Sequence, residues 1–271
     1  MGSKESKIRL LGLLAALFVL LPVSAWNYNS QETTTTQSAQ IRVGADFHKK
    51  WNNGLRLSLG EELRFDAYHS VHGASFNRSY TTLIFGYAPI QYVRFDVGYT
   101  LKIHGPNSTW SEAKKADPNE WIRHRVFFGV TGSLHTRYAK LSLRERALME
   151  ARTDSVNPLE KNQYNWQLRS RVAAEFIVPG KPVKPYVWVE VINTLNAPEY
   201  QQKNGHQFIS DVRAQTGVKW RLTKMSSLDF YYRFTYGYDR DINITKTMHY
   251  IELTETTHFQ HAIGVTYNLD W

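Results

Sequence analysis

The chain has 271 residues, no cysteine and a formal net charge of +9, from 33 Lys and Arg against 24 Asp and Glu. The lack of cysteine excludes a disulfide framework, a thiolate metal site, a cysteine nucleophile and a lipid anchor on an N-terminal cysteine. Aromatic residues make up 14% of the chain, although its mean hydropathy is only −0.45. A bundle of transmembrane helices is also excluded, because each helix would need about 20 apolar residues in a row.

The N-terminal residues 1–25 have the three parts of a secretory signal peptide. A basic start is followed by an apolar core over residues 10–23 and by a small-residue site that ends at Ala25. The core is too short to span a bilayer comfortably. We therefore predict export with cleavage after about Ala25, and a flexible, Thr-rich mature N-terminus over residues 26–39.

Beyond residue 40 one pattern repeats: apolar and polar residues alternate, and a turn signal follows. Phe95 and Val97, for example, alternate with Arg94 and Asp96. Successive side chains of a strand point to opposite sides, so each segment has one apolar, aromatic face and one polar face. The alternation predicts strands at 40–50, 54–67, 77–88, 91–104, 121–133, 137–150, 164–177, 185–193, 209–222, 227–239 and 257–271.

The connections between these strands alternate in length. Short turns, such as 51–53 and 179–182, alternate with long polar loops such as 105–120 and 240–256. This alternation is typical of an outer-membrane barrel, in which short turns face the periplasm and long loops face outward. We therefore predict an all-β fold, a transmembrane antiparallel up-and-down β-barrel over residues 40–271.

The predicted strands raise a question of parity. There are eleven of them, whereas single-chain bacterial barrels have an even number of strands. A further strand in the Thr-rich segment 28–39 would restore an even number. We expect about 12 strands, with about 10 as the alternative.

A soluble barrel or sandwich would also alternate, with its apolar face inward and shorter strands of about 5–6 residues. The strands predicted here are long enough to cross a bilayer at a tilt, and their polar face carries many charges of both signs. The chain also ends on Trp271 after alternating apolar residues, as outer-membrane barrels commonly do. We expect two partners, outer-membrane lipid and the barrel-assembly machinery, which would engage the C-terminal strand ending at Trp271.

Five short motifs resemble a known family. They are Glu62-Leu63-Arg64, Arg123-His124-Arg125, Arg169-Ser170-Arg171, Pro185-Tyr186-Val187-Trp188-Val189-Glu190 and Val212-Arg213-Ala214-Gln215-Thr216-Gly217-Val218. Over residues 40–271 the chain is similar to the family called domain of unknown function 2490. That family is taken to be an outer-membrane barrel of unassigned activity. The resemblance therefore implies a location and a fold, and it supplies no reaction and no site residues.

Charged residues on the polar face are expected to line the lumen and to pair there, because an unpaired buried charge is costly. The predicted lumen-lining residues are Glu62, Arg64, Arg94, Asp96, Arg123, Arg125, Arg144, Arg146, Arg169, Arg171, Glu175, Glu190, Asp211, Arg213, Asp229 and Arg233. We expect Arg169 to pair with Glu175 or Glu190. Strand glycines such as Gly217 and Gly264 are expected to make room for bulky lumen neighbours.

The sequence identifies no catalytic residue, metal site or cofactor. His258 and His261 are close in sequence but fall on opposite faces of a strand, so they cannot share an ion there. Basic residues alternate with acidic ones and form no continuous stripe, which argues against nucleic-acid binding.

These features favour a passive outer-membrane barrel, either a narrow or plugged channel for ions or small molecules or a structural barrel. Its excess of arginine predicts a small, anion-selective flow. Two alternatives remain open. One is a lipid-modifying enzyme of the lipase or deacylase type, with Ser and His near the outer rim. The other is a barrel that binds a ligand or partner through outer loops such as 105–120.

Overall fold

The fold is known from a computed structural model that describes residues 30–70, 74–105, 121–153, 161–198, 208–244 and 251–271. The predicted signal peptide (1–25) and nearly all of the loop 105–120 lie outside the described residues. Within the described ranges, no helix is long and apolar enough to cross a membrane.

Eleven β-strands form a closed barrel in the described part of the chain. They are β1 (Ser30–Lys50), β2 (Leu55–His69), β3 (Ser75–Ile90), β4 (Val93–His104), β5 (Ile122–His135), β6 (Ala139–Arg152), β7 (Tyr164–Phe176), β8 (Val183–Thr194), β9 (Ile209–Arg221), β10 (Ser226–Ile244) and β11 (Ile251–Asp270). Each strand from β1 to β10 pairs antiparallel with the next one along the chain. The predicted all-β barrel is confirmed, and its strand number lies between the two predicted values.

The barrel closes where β1 and β11 pair in parallel, from Ser30 beside Glu252 to His48 beside Asp270. In an up-and-down barrel with an odd number of strands, the first and last strands run in the same direction, so their pairing has to be parallel. Parallel pairs are slightly less stable per residue, but this seam is long. At its end, the Trp271 backbone nitrogen donates a hydrogen bond to the His48 carbonyl oxygen at 2.7 Å.

Residues 30–39 correct the prediction of a flexible N-terminus over 26–39, because they form the first half of β1. They are a continuation of this strand and not the extra strand considered for 28–39. Thr is a strand-favouring residue, and pairing with β11 satisfies the backbone. The Thr36 hydroxyl also lies 2.6 Å from His258 Nδ1 across the seam.

The two ends of the barrel differ in their connections. At one end, here called the turn end, the connections are short and cover 51–54, 91–92, 136–138, 177–182 and 222–225. At the other, the loop end, they cover 70–74, 105–121, 153–163, 195–208 and 245–250. The predicted alternation is present, although β10 and β11 extend well into the predicted loop 240–256.

The outer surface of the barrel is apolar. On β4, Phe95, Val97 and Tyr99 are 39–54% exposed, whereas Asp96 and Thr100 on the opposite face are each 4% exposed. A soluble barrel has the opposite arrangement, with apolar side chains inside.

The parallel seam can be tested with introduced cysteines, because the chain has none of its own. Ile41 and Ile263 are partners across the seam, and paired strand positions lie within the reach of a disulfide. We expect Ile41→Cys with Ile263→Cys to cross-link on mild oxidation, which non-reducing electrophoresis would detect. The control is Ile41→Cys with Val172→Cys on β7, a distant strand. Equal cross-linking of both pairs, or none of the first, would contradict the closure.

Candidate functional site

Polar side chains meet inside the barrel. Strands that are not neighbours can touch only across the interior of a closed barrel, and several do so. Lys102 Nζ on β4 lies 3.3 Å from Glu150 Oε1 on β6. The Tyr231 hydroxyl on β10 donates to Glu62 Oε2 on β2 at 3.4 Å. The interior is therefore the candidate functional site of this barrel.

Glu190 on β8 binds arginines from three other strands. Arg144 Nη2 and Arg171 Nη2 lie 2.7 and 2.8 Å from Glu190 Oε1, and Arg213 Nη1 lies 3.8 Å from Glu190 Oε2. The glutamate is only 2% exposed. Attraction between charges is stronger in such a site than in water, while the loss of solvation is costly for each ion. One carboxylate thus compensates part of the charge of three guanidinium groups, and the cluster remains positive.

Aromatic rings fill interior space beside this cluster. The Trp188 ring contacts two guanidinium groups, with Arg171 Cζ at 3.9 Å and Arg233 Cζ at 5.2 Å from its centre. Trp188 packs with Tyr186 and Tyr231 into a buried aromatic cluster. Cation–π attraction stabilises arginine side chains at places where a carboxylate is absent. An open channel would leave this space to water.

Two glycines make room for the rings. Gly217 is the cross-strand partner of Tyr186, and Gly264 is the partner of Tyr231. A Cβ atom would lie 2.7 Å from Tyr186 Cζ at the first position and 2.3 Å from Tyr231 Cζ at the second. The prediction that these glycines make room for bulky neighbours is confirmed.

Hydrogen bonds link Arg233 to Asp229 indirectly. Arg233 Nε donates to Gln215 Oε1 at 2.7 Å, and Gln215 Nε2 donates to the Tyr186 hydroxyl at 2.6 Å. That hydroxyl donates to Asp229 Oδ1 at 2.9 Å. Asp229 and Arg233 were predicted to share the lumen face. In the structure they do not form a direct ion pair, and the neutral side chains of Gln215 and Tyr186 connect them.

Most of the other predicted lumen residues form ion pairs. These residues are Glu62, Arg64, Arg94, Asp96, Arg125, Arg144, Arg171, Glu175, Glu190, Asp211 and Arg213. Arg123 donates to the Ile122 carbonyl oxygen at 2.8 Å. The Arg146 guanidinium stacks over the Phe127 ring at 3.9 Å.

The expected pairing of Arg169 with Glu175 or Glu190 is wrong. Arg169 Nη2 donates to the Gln167 amide oxygen at 2.8 Å. Glu175 binds Lys219 at 2.7 Å and lies six positions along the same strand, which is roughly 20 Å from Arg169. Glu190 is occupied by the three arginines of its own cluster. Two interior residues can therefore pair only if they lie at a similar height along the barrel axis. A shared interior face alone does not make them partners.

Several interior residues are absent from the predicted set. Arg42 is 1% exposed and donates to the amide oxygens of Gln40 and Gln260 at 2.8 and 2.7 Å. Strand alternation could have identified Arg42, because it follows Gln40 by two positions on β1. The same signal applies to Lys102, Glu150, Lys219, Phe127, Tyr186, Trp188 and Tyr231, which share their strand faces with predicted residues. No predicted residue lies on β3, the strand of Tyr80.

The histidines on β5 and β11 do not form a metal site. His261 Nδ1 lies 2.7 Å from the Tyr232 hydroxyl on the outer face, and His124 Nδ1 lies 2.6 Å from the Tyr99 hydroxyl. His258 lies at the opposite face of β11, beside Thr36. Among the described residues, no group of three or more His, Asp or Glu side chains could hold a metal ion.

The interior formed by the described residues contains a larger and a smaller cavity. The larger one, here called the vestibule, has a volume of about 440 Å³ and lies towards the loop end, where His69 and Gly105 line it. The smaller one, the inner cavity, has a volume of about 210 Å³. The residues that line both cavities are Arg64, Tyr80, Arg125 and Arg169.

The Glu190 cluster predicts a large effect of one neutral substitution. Glu190→Gln leaves the arginines without their shared carboxylate, and breaking a buried ion pair costs about 3–5 kcal/mol. We expect the free energy of unfolding, measured by denaturant titration in detergent, to fall by that amount. Asp270→Asn is the matched control, because its pair with Lys50 is exposed and surface pairs contribute about 0–1 kcal/mol. Equal losses for both variants would contradict the assignment.

Comparison with known proteins identifies one family. No curated protein and no solved structure matches the chain. The sequence model of a family described as "Protein of unknown function (DUF2490)" matches residues 26–245. This match includes all five motifs noted above, begins before the expected residue 40 and ends just beyond β10. The chain therefore belongs to the DUF2490 family, whose description assigns no function.

Proposed function

We propose that this protein is an outer-membrane β-barrel of the passive type. It spans the bilayer with its apolar outer surface in lipid, and its narrow, largely closed interior passes at most small anions. The observation that carries this proposal is the inverted arrangement of the barrel, with apolar side chains outside and buried charges inside.

The outer surface fits a lipid environment. Lipid requires every backbone polar group to be satisfied internally, which a closed barrel achieves. The shortest strands have 12 residues, more than the roughly 9–11 that a tilted strand needs to cross a bilayer. Val97, Phe128 and Val172 point outward and are more than half exposed. In water such a surface would be an aggregation or interaction patch.

Aromatic side chains near both ends support the same environment. Amphipathic rings favour the headgroup level of a membrane. Exposed aromatic residues near the turn end include Trp51, Tyr138, Trp220 and Trp271, and those near the loop end include Tyr68, Tyr164 and Trp166. The three-part leader in residues 1–25 supports export to the envelope.

The carboxylates of Glu61 and Glu145 interrupt the apolar outer surface. Thr81 Oγ1 donates to Glu61 Oε2 at 2.5 Å, and Ser170 Oγ donates to Glu145 Oε2 at 2.6 Å. A polar group in lipid is costly unless it is hydrogen-bonded. These bonds from neighbouring strands offset part of that cost.

The interior supports a narrow, positively charged path. Buried aromatic rings occupy space beside the Glu190 cluster, and the two cavities are small. Several arginines, including Arg42, Arg169 and Arg233, bond to amide oxygens instead of carboxylates. The excess positive charge favours anions over cations.

The lipid-facing surface can be tested with a matched pair of substitutions. Val172 and Tyr138 are similarly exposed, at 63% and 69%, but Val172 is in the middle of β7 and Tyr138 is in a turn. We expect Val172→Arg to reduce the stability of folding into liposomes by about 2–4 kcal/mol, and Tyr138→Arg by about 0–1 kcal/mol. Equal tolerance of both substitutions would indicate a surface in contact with water.

Ion flow tests the passive function. Purified protein in planar bilayers should give small currents. Under a salt gradient, the sign of the reversal potential should show that anions carry the current. Arg233→Gln, which removes one interior charge, should weaken that selectivity because the excess positive charge falls. Large cation-selective currents from the unaltered protein would contradict the proposal.

A further inference from the structure

The arginine side chains between the two cavities have a ligand-binding geometry. Arg64, Arg125 and Arg169 come from β2, β5 and β7 and line both the vestibule and the inner cavity. They are here called the arginine ring. They therefore lie at the boundary that the two cavities share.

The aromatic ring of Tyr80 holds two members in place. Arg64 Cζ lies 4.2 Å from the centre of the Tyr80 ring, and Arg125 Cζ lies 5.6 Å from it. Arg64 is also fixed by its ion pair with Glu62 at 2.5 Å. Positioned guanidinium groups lose little freedom when a ligand binds, which favours affinity.

The vestibule has more cationic than anionic side chains. Arg64, Arg78, Lys102, Arg125, Arg169 and Arg213 line it, against Asp66, Glu150 and Asp211. Lys102 and Arg125 share the single carboxylate of Glu150. Arg169 and Arg78 donate to the amide oxygens of Gln167 and Asn77. An excess of two positive charges remains when Glu62, the partner of Arg64, is counted.

We propose that the arginine ring binds the phosphate group of a small phosphorylated solute that enters the vestibule from the loop end. The entry route rests on the proposed function, because it takes the loop end as the outer face of the barrel. The binding site itself depends only on the interior geometry.

The chemistry of the ring favours phosphate. The planar fork of arginine matches phosphate oxygens in a bidentate manner. Three guanidinium groups from three strands line the boundary of the two cavities, and a tetrahedral oxyanion presents oxygens in more directions than a planar carboxylate. The vestibule volume of about 440 Å³ falls within the range of roughly 300–1,000 Å³ typical of small-molecule pockets, so the remainder of such a solute has room.

Calorimetric titration of inorganic phosphate into the purified barrel in detergent tests the site. The unaltered protein should bind phosphate in a chloride buffer of matched ionic strength. Arg169→Gln should weaken binding at least about tenfold, because a charge-assisted hydrogen bond contributes about 1.5–3 kcal/mol. Arg169 is a suitable target because its hydrogen bonds go to the Gln167 amide, so no carboxylate loses a partner.

Arg233→Gln is the matched control. Arg233 also donates to a glutamine, Gln215, but it lines neither cavity. Phosphate binding should weaken much less in this variant than in Arg169→Gln, because Arg233 acts on the site only through its charge at a distance. If Arg169→Gln does not fold, Arg169→Lys replaces it and should weaken binding by a smaller factor, because it keeps the charge and loses the planar fork.

The possible results separate the two proposals. If Arg169→Gln and Arg233→Gln bind phosphate equally well, the arginine ring is not the binding site. If the unaltered protein binds citrate more tightly than phosphate, the proposed ligand class is wrong. Phosphate binding by a barrel that fails to insert into liposomes would support the site and contradict the proposed function. Insertion and anion currents without phosphate binding would support the proposed function alone.

Discussion

A charged side chain that points into this barrel has to be compensated inside it, because burial deprives it of water. The Glu190 cluster shows how this is done: one carboxylate with 2% exposure binds arginines from β6, β7 and β9. Among the described interior residues, carboxylates are fewer than cations, so amide oxygens and aromatic rings compensate the other cations. Arg42 binds Gln40 and Gln260, and Arg171 also stacks on Trp188. The same contacts narrow the interior, since the groups that compensate charge also fill space.

Closure of the barrel is what separates the two faces. An open sheet would leave unpaired backbone groups at its edges, whereas here the first and last strands complete the ring through a parallel seam. The Thr-rich start of β1 makes this seam long, and it continues to the C-terminal Trp271. Because each strand pairs with a neighbour on both sides of the ring, the outer surface can be apolar and the interior can hold the charges.

Strand alternation was sufficient to predict the fold class, the strand positions to within a few residues over most of the chain, and a shared face for residues such as Glu62 and Arg64, which the structure joins at 2.5 Å. Alternation could not identify the partner of Arg169. Interior partners depend on how far each strand is shifted along the barrel axis relative to the others, and this shift is fixed by closure of the whole barrel. Alternation did not show that residues 30–39 continue β1, because a polar Thr-rich strand lacks an apolar face. Trp188 is two positions from Glu190 on β8, so alternation places both side chains on the interior face. Aromatic residues of outer-membrane barrels are more often expected to contact lipid, and Trp188 was therefore left out of the predicted set.

Tryptophan fluorescence in liposomes tests most directly whether the outer surface contacts lipid and the interior does not. Trp220 is exposed on the outside of β9, and Trp188 is 6% exposed inside the barrel. Two variants would each keep one of these tryptophans, with the others replaced by Phe, and would be folded into vesicles that contain lipids with brominated acyl chains. We expect strong quenching of Trp220 and little quenching of Trp188. Quenching of Trp188 with an unaffected Trp220, or no quenching of either, would contradict it.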